Sequence, residues 1–124
     1  MPHCKIEYST NLIEEINFND FFQKLHTVLT SDNLFKINDI KSRAIKFEDY
    51  FIGNGNHNKC FVAVTILILA GRTTEVKKRL SENVLEFLKD QFSDSLNKLD
   101  CNLTVRIDEI EKESYSKFNS GKTE

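Results

Sequence analysis

Cys60-Phe61-Val62-Ala63-Val64-Thr65-Ile66-Leu67-Ile68-Leu69 is a nearly unbroken apolar run, and its length decides what it can be. A membrane helix takes roughly 20 such residues, and the run from Cys60 to Ala70 reaches only about half of that. Its Val and Ile content predicts a strand with both faces covered. Downstream, Thr73 is placed to cap a helix, with Glu75 in the positive first turn and Val76, Leu80, Val84, Phe87, Leu88 and Phe92 on one face. Asn102 to Ile110 then alternates Leu103, Val105 and Ile107 against Thr104, Arg106 and Asp108, the period of a half-buried strand. This half of the chain therefore reads strand, helix, strand.

The first half follows the same programme. Met1 to Tyr8 alternates like a strand. Asn17 and Asn19 are candidate caps for a helix to about Ser31, with Phe18, Phe21, Phe22, Leu25, Val28 and Leu29 as its core stripe. Asp39 to Phe47 alternates Lys41, Arg43, Ile45 and Phe47 against Ile40, Ser42 and Ala44, placing two cations on one face. Between the halves, Gly53-Asn54-Gly55-Asn56 is turn chemistry. No helix opens directly after it, so a phosphate-binding loop is not read there.

Two β-α-β units (residues 2–48 and 60–110, joined by a loop at 49–59) predict one α+β domain. Each crossover is right-handed, and four strands form a sheet with both helices on one face. The other face is left bare and calls for a second copy of the chain. The polar stretch at 111–124 reads as a tail with a mobile tip.

Composition narrows the function classes. The 17 basic and 19 acidic residues, for a formal net charge of −2, give no global attraction to nucleic acid or an anionic membrane. No basic-then-apolar leader opens the chain. Cys4, Cys60 and Cys101 fit neither a disulfide framework nor a zinc site and read as small reduced core residues, which places the protein in the cytoplasm. His3, His26 and His57 share no metal-ligand spacing, and His3 reads as an exposed strand histidine. Asn102-Leu103-Thr104 fits a glycosylation acceptor but falls inside a strand. No Ser-His-Asp or Cys-His arrangement is placed for nucleophilic catalysis.

The one proline of the chain, Pro2, stands directly behind the initiator methionine. A proline tolerated at the first residue of a strand accounts for it structurally. Removal of Met1 gives it a second meaning: a free secondary amine in a rigid ring. A terminal amine starts near pKa 7.7–8.0, and burial and nearby cations both lower it toward the range where a general base works best.

In the order of its elements and in its local motifs the chain resembles the tautomerase superfamily, and within it the 5-carboxymethyl-2-hydroxymuconate Δ-isomerase family. The resemblance lies in Met1-Pro2-His3, Glu7-x-Ser9-x-Asn11, Ile40-x-Ser42-Arg43-Ala44, Phe61-Val62 and Ala70-Gly71-Arg72-Thr73, and spans the chain to about Asn119. It implies a tautomerase-like trimer without a cofactor, in which Pro2 shuttles a proton within an unsaturated keto or enol acid. It implies further that Arg72, position 41 and Arg43 hold the carboxylates of a di- or tricarboxylate substrate from aromatic catabolism. Position 41 departs from that pattern: Lys41 keeps the charge of the family's arginine but lacks its two-pronged grip on a carboxylate. Val62 stands where the second repeat would place its own Pro2, inside the chain and without a free amine, so one site per subunit is expected. Two other readings remain open at this point: a trimeric ligand-binding protein without chemistry, and a dehalogenase or decarboxylase of the same superfamily.

Overall fold

A computed structural model describes residues 1–122. Strand β1 (His3–Ser9) is followed by helix α1 (Phe18–Thr30) and strand β2 (Lys41–Phe47). Strand β3 (Lys59–Leu69), helices α2 (Thr74–Gln91) and α3 (Ser93–Lys98), and strand β4 (Asp100–Ile110) complete the second repeat. The sheet order is β2-β1-β3-β4; β1 runs parallel to β2, β3 parallel to β4, and β1 antiparallel to β3.

The caps match the chemistry of the residues that carry them. Asn17 accepts from the Asp20 N–H and Thr73 from the Val76 N–H, so each helix begins where a side-chain oxygen satisfies an otherwise free amide. Asn19 lies inside the first turn of α1 and is not the cap. Lys41 and not Asp39 opens β2, because Ile37–Asp39 forms a 3-10 turn that delivers the chain to the sheet edge. Helix α3 went unread in the sequence, since six polar-rich residues carry no helical stripe. Its first amides at Asp94 and Ser95 are held by the Glu14 carboxylate, 2.9 and 3.1 Å away.

Both long helices pack on one face of the sheet. Cys4, Ile6, Val62, Val64, Ile66 and Ile68 meet Phe21, Leu25, Leu29, Leu80, Val84, Leu88 and Phe92 in a single core. Cys60 and Cys101 are register partners; burial pushes Cys101 up to about 12 and Cys4 up to about 11, so both stay protonated and unreactive near neutrality. All three cysteines are free thiols.

Among the described residues no helix covers the other face of the sheet. That face mixes apolar and charged side chains: β3 offers Phe61, Ala63 and Leu67, and the partners of the last two across β1 are Glu7 and His3, with Lys5 between them. The tail also departs from a free polar extension, because Lys112–Ser114 forms a 3-10 turn and Tyr115 and Lys117 contact the body of the protein. The tip read as mobile ends in residues 123 and 124, outside the described residues. Among the described residues no helix is long and apolar enough to cross a membrane.

The motif Glu7-x-Ser9-x-Asn11 is a structural device. Ser9 is fully buried, and its Oγ accepts from the Phe61 N–H at 3.0 Å; Asn11 Nδ2 donates to the Lys59 carbonyl at 2.7 Å. These two side chains continue the β1–β3 ladder past its last backbone pair, Tyr8 with Val62. Ser9→Ala strands a buried amide and should lower stability by about 1–3 kcal/mol, read as a lower denaturant midpoint at unchanged slope.

Candidate active site

Pro2 is buried at the head of β1, and its carbonyl accepts from the Lys41 N–H at 3.1 Å, joining the residue just before β1 to the first of β2. With Met1 attached, the Pro2 nitrogen is an amide without hydrogen. The Met1 amine, one residue further out, donates to the Asp39 carbonyl at 3.4 Å, and Lys41 Nζ donates to the same oxygen at 3.4 Å. Met1 lines a cleft of about 260 Å3 together with Leu34, Phe35, Asp39, Ile68 and Arg72, among others.

Arg72 reaches this cleft from the turn between β3 and α2. Gly71 has φ +125°, a conformation glycine adopts freely and other residues avoid, and this bend carries the next side chain back over the sheet end. The Arg72 guanidinium donates to the Leu34 carbonyl at 2.8 Å and stands 5.5 Å over the Phe35 ring. Backbone acceptor and aromatic face together fix its position.

The charges around the chain end act on its amine in one dominant direction. Burial, then Lys41 and Lys117, hold the Met1 amine below its ordinary value, and Asp39 opposes them. Lys41 and Arg72 are thus brought to one locality with the N-terminal residues. Arg43 is not: its Nη1 lies 3.1 Å from His3 Nδ1, and it lines a separate hollow of about 560 Å3 on the open sheet face with Lys5, Glu7, Ile45, Thr65, Leu67, Arg106 and Asp108.

His3 also departs from the exposed strand histidine read in the sequence. Its Nε2 is 3.2 Å from the Tyr115 hydroxyl, and because Arg43 can only donate, Nδ1 accepts and the neutral ring carries its proton on Nε2. Burial first, then Arg43 and Lys41, lower the His3 pKa from the ordinary 6.5. A folded value below the unfolded one means that the unfolded chain takes up the proton first, so stability falls as pH drops below about 6.5 toward the folded value.

Asp39, Phe35, Tyr115 and Lys117 were missed as site residues. Phe35 stands out only as the one aromatic in a polar turn, and Tyr115 as an aromatic inside the polar tail. The Lys117 contact joins residues 78 apart and leaves no local signal. One consequence is measurable: Arg43→Gln removes a cation bonded to the imidazole, so the His3 titration midpoint followed by NMR should rise toward 6.5, and an unmoved midpoint would show that the Arg43 charge does not act on it.

Comparison with known proteins places this geometry in a family. The profile of the 5-carboxymethyl-2-hydroxymuconate isomerase family matches residues 2–123, beginning at Pro2. The 5-carboxymethyl-2-hydroxymuconate Delta-isomerase of Escherichia coli is 28% identical over 110 residues, covering 89% of this chain and 87% of that protein. The crystal structure of a 5-carboxymethyl-2-hydroxymuconate isomerase from Deinococcus radiodurans R1 superposes with a TM-score of 0.88 at 29% identity, over 96% of this chain and 90% of that one. A more distant structure, described as a Q0 fused 4-OT wild type symmetric trimer, has the same fold, with a TM-score of 0.74 at 13% identity over 94% and 92% of the two chains. From Pro2 nearly to its end, the chain belongs to the 5-carboxymethyl-2-hydroxymuconate isomerase family.

Proposed function

We propose that the protein is a cofactor-independent isomerase that moves a proton within an unsaturated, carboxylated keto or enol acid of the 5-carboxymethyl-2-hydroxymuconate type, with the Pro2 nitrogen as base and acid once Met1 is removed. The observation that carries this reading is the cleft in which the N-terminal residue meets the fixed Arg72 guanidinium. Removal of Met1 turns the Pro2 nitrogen into a secondary amine one residue inward of the Met1 amine, which burial and the Lys41 and Lys117 charges already depress. A depressed amine gives up its proton at a lower pH than an ordinary terminal amine, and in its neutral form it takes a proton from carbon or from an enol hydroxyl. The resulting dienolate spreads negative charge along the conjugated chain toward the substrate carboxylates. Arg72 and Lys41 face that charge, and their attraction grows as it develops. The same nitrogen then returns the proton further along the chain, so no redox group or metal is called for.

Lys41 offers a point charge where the family pattern has a planar fork, so carboxylate binding on that side rests on charge more than on paired hydrogen bonds. Arg43 enters the proposal as a longer-range cation, one imidazole away. Assembly as a homotrimer is part of the same proposal. It is supported by the uncovered sheet face, where Ile45 is 57% exposed beside Leu67, and by the symmetric trimer described for the fused relative of this fold.

A second reading, a binding protein without chemistry, is favoured by one contact: the Met1 amine bonded to the Asp39 carbonyl. In a chain that keeps Met1 the Pro2 nitrogen is an amide and has no basicity to use. Intact mass and turnover of 5-carboxymethyl-2-hydroxymuconate, measured on the same sample, separate the two readings. Activity should appear only in the Met1-free form.

For that form, Pro2→Ala should keep the fold and lose about 10²–10⁴-fold in kcat. Arg72→Ala should raise KM about 10–100-fold, as expected for losing a charged hydrogen-bond donor to a carboxylate. Wild-type turnover in Pro2→Ala contradicts the assignment of the base.

A further inference from the structure

The chain does not leave the molecule after β4. The 3-10 turn at Lys112–Ser114 redirects it, and three side chains then touch three different walls around the candidate site. Lys112 Nζ comes within 3.3 Å of where a Cβ on Gly71 would stand, beside the turn that carries Arg72. Tyr115 meets His3 edge-on, with ring centroids 6.3 Å apart and an interplanar angle of 80°, and bonds its Nε2. Lys117 Nζ stands 3.5 Å from Asp39 Oδ1. The tail therefore lies against three residues that flank the cleft: Gly71, His3 and Asp39.

Asp39 is the one acidic side chain among the described residues lining the cleft. Left unpaired, its carboxylate would act against an anionic ligand twice over: by direct repulsion, and by drawing on the ammonium of Lys41, which already bonds the Asp39 main-chain oxygen at 3.4 Å. The carboxylate is instead paired with Lys117, a residue from the far end of the chain.

We infer that the C-terminal tail completes the substrate site, with Lys117 as a positioning residue that engages the Asp39 carboxylate and so leaves Lys41 free to hold a substrate carboxylate. This rests on the isomerase reading above but adds to it a residue and a role outside the motifs Met1-Pro2-His3 and Ala70-Gly71-Arg72-Thr73. The size of the effect is bounded by solvent. The two side chains are 40% and 41% exposed, so the pair is screened and its loss is modest.

The test uses the full-length, Met1-free protein in four forms: wild type, Lys117→Gln, Asp39→Asn and the double variant. Two measurements are made on each, the kinetics of 5-carboxymethyl-2-hydroxymuconate turnover and calorimetric binding of cis,cis-muconate, an unsaturated dicarboxylate probe that needs no turnover. Lys117→Gln should raise KM and the muconate Kd about twofold to fivefold, and the effect should shrink at high salt. Asp39→Asn in the same chain should restore both constants to within about twofold of Asp39→Asn alone, because the carboxylate that Lys117 engages is gone. Unchanged constants in Lys117→Gln overturn the inference, and so does a double variant as impaired as Lys117→Gln. Failure of the isomerase reading is distinguishable: turnover that survives Pro2→Ala strikes the assigned base and leaves the muconate affinities to decide on Lys117.

Discussion

A chain end is ordinarily the loosest part of a domain; here it is clamped into the middle of a sheet. β1 is an inner strand, with β2 on one side and β3 on the other. Pro2 stands at its head, buried and bonded through its carbonyl to the first amide of β2. A base made from a terminal nitrogen has no side chain to orient it, so its direction and surroundings are set only by how firmly the first residues of the strand are held. The Ser9 and Asn11 bonds to β3 at the strand's other end serve the same end.

Local patterns in the sequence carried most of the architecture. Alternation at Lys41 to Phe47 and at Asn102 to Ile110, the helical stripe from Val76 to Phe92 and the side-chain caps at Asn17 and Thr73 each depend on neighbours a few residues apart, and each was legible. The 3-10 turn at Ile37–Asp39 and the short α3 were not: the turn is three residues long and carries no periodic pattern, and the first amides of α3 are held by Glu14, far away in sequence. The uncovered sheet face was inferred correctly as uncovered, but its charge was not, since Lys5 and Glu7 become neighbours of β3 only through the antiparallel register.

The candidate site divides in the same way. Pro2 and Arg72 could be named as candidates because their positions, second in the chain and after a glycine at a strand end, belong to the motifs of the resemblance. Lys41 was reached through the resemblance and by its place on a strand face. Asp39, Tyr115 and Lys117 gave no signal because what brings them beside the N-terminal residues is the path of the tail past His3 and the turn before β2, a contact between the two ends of the chain. The structure also separates Arg43 from the others by placing it beside His3, a distinction that alternation along a single strand cannot make.

The central physical claim is that the chain-end nitrogen is poorly solvated and surrounded by more positive than negative charge. Selective 15N labelling of proline in the Met1-free protein allows the titration of Pro2 to be followed directly by NMR. The account predicts a midpoint below the roughly 7.7–8.0 of an unperturbed terminal amine, rising when Lys41 is replaced by Gln. A midpoint at or above the unperturbed range, indifferent to Lys41, would contradict it.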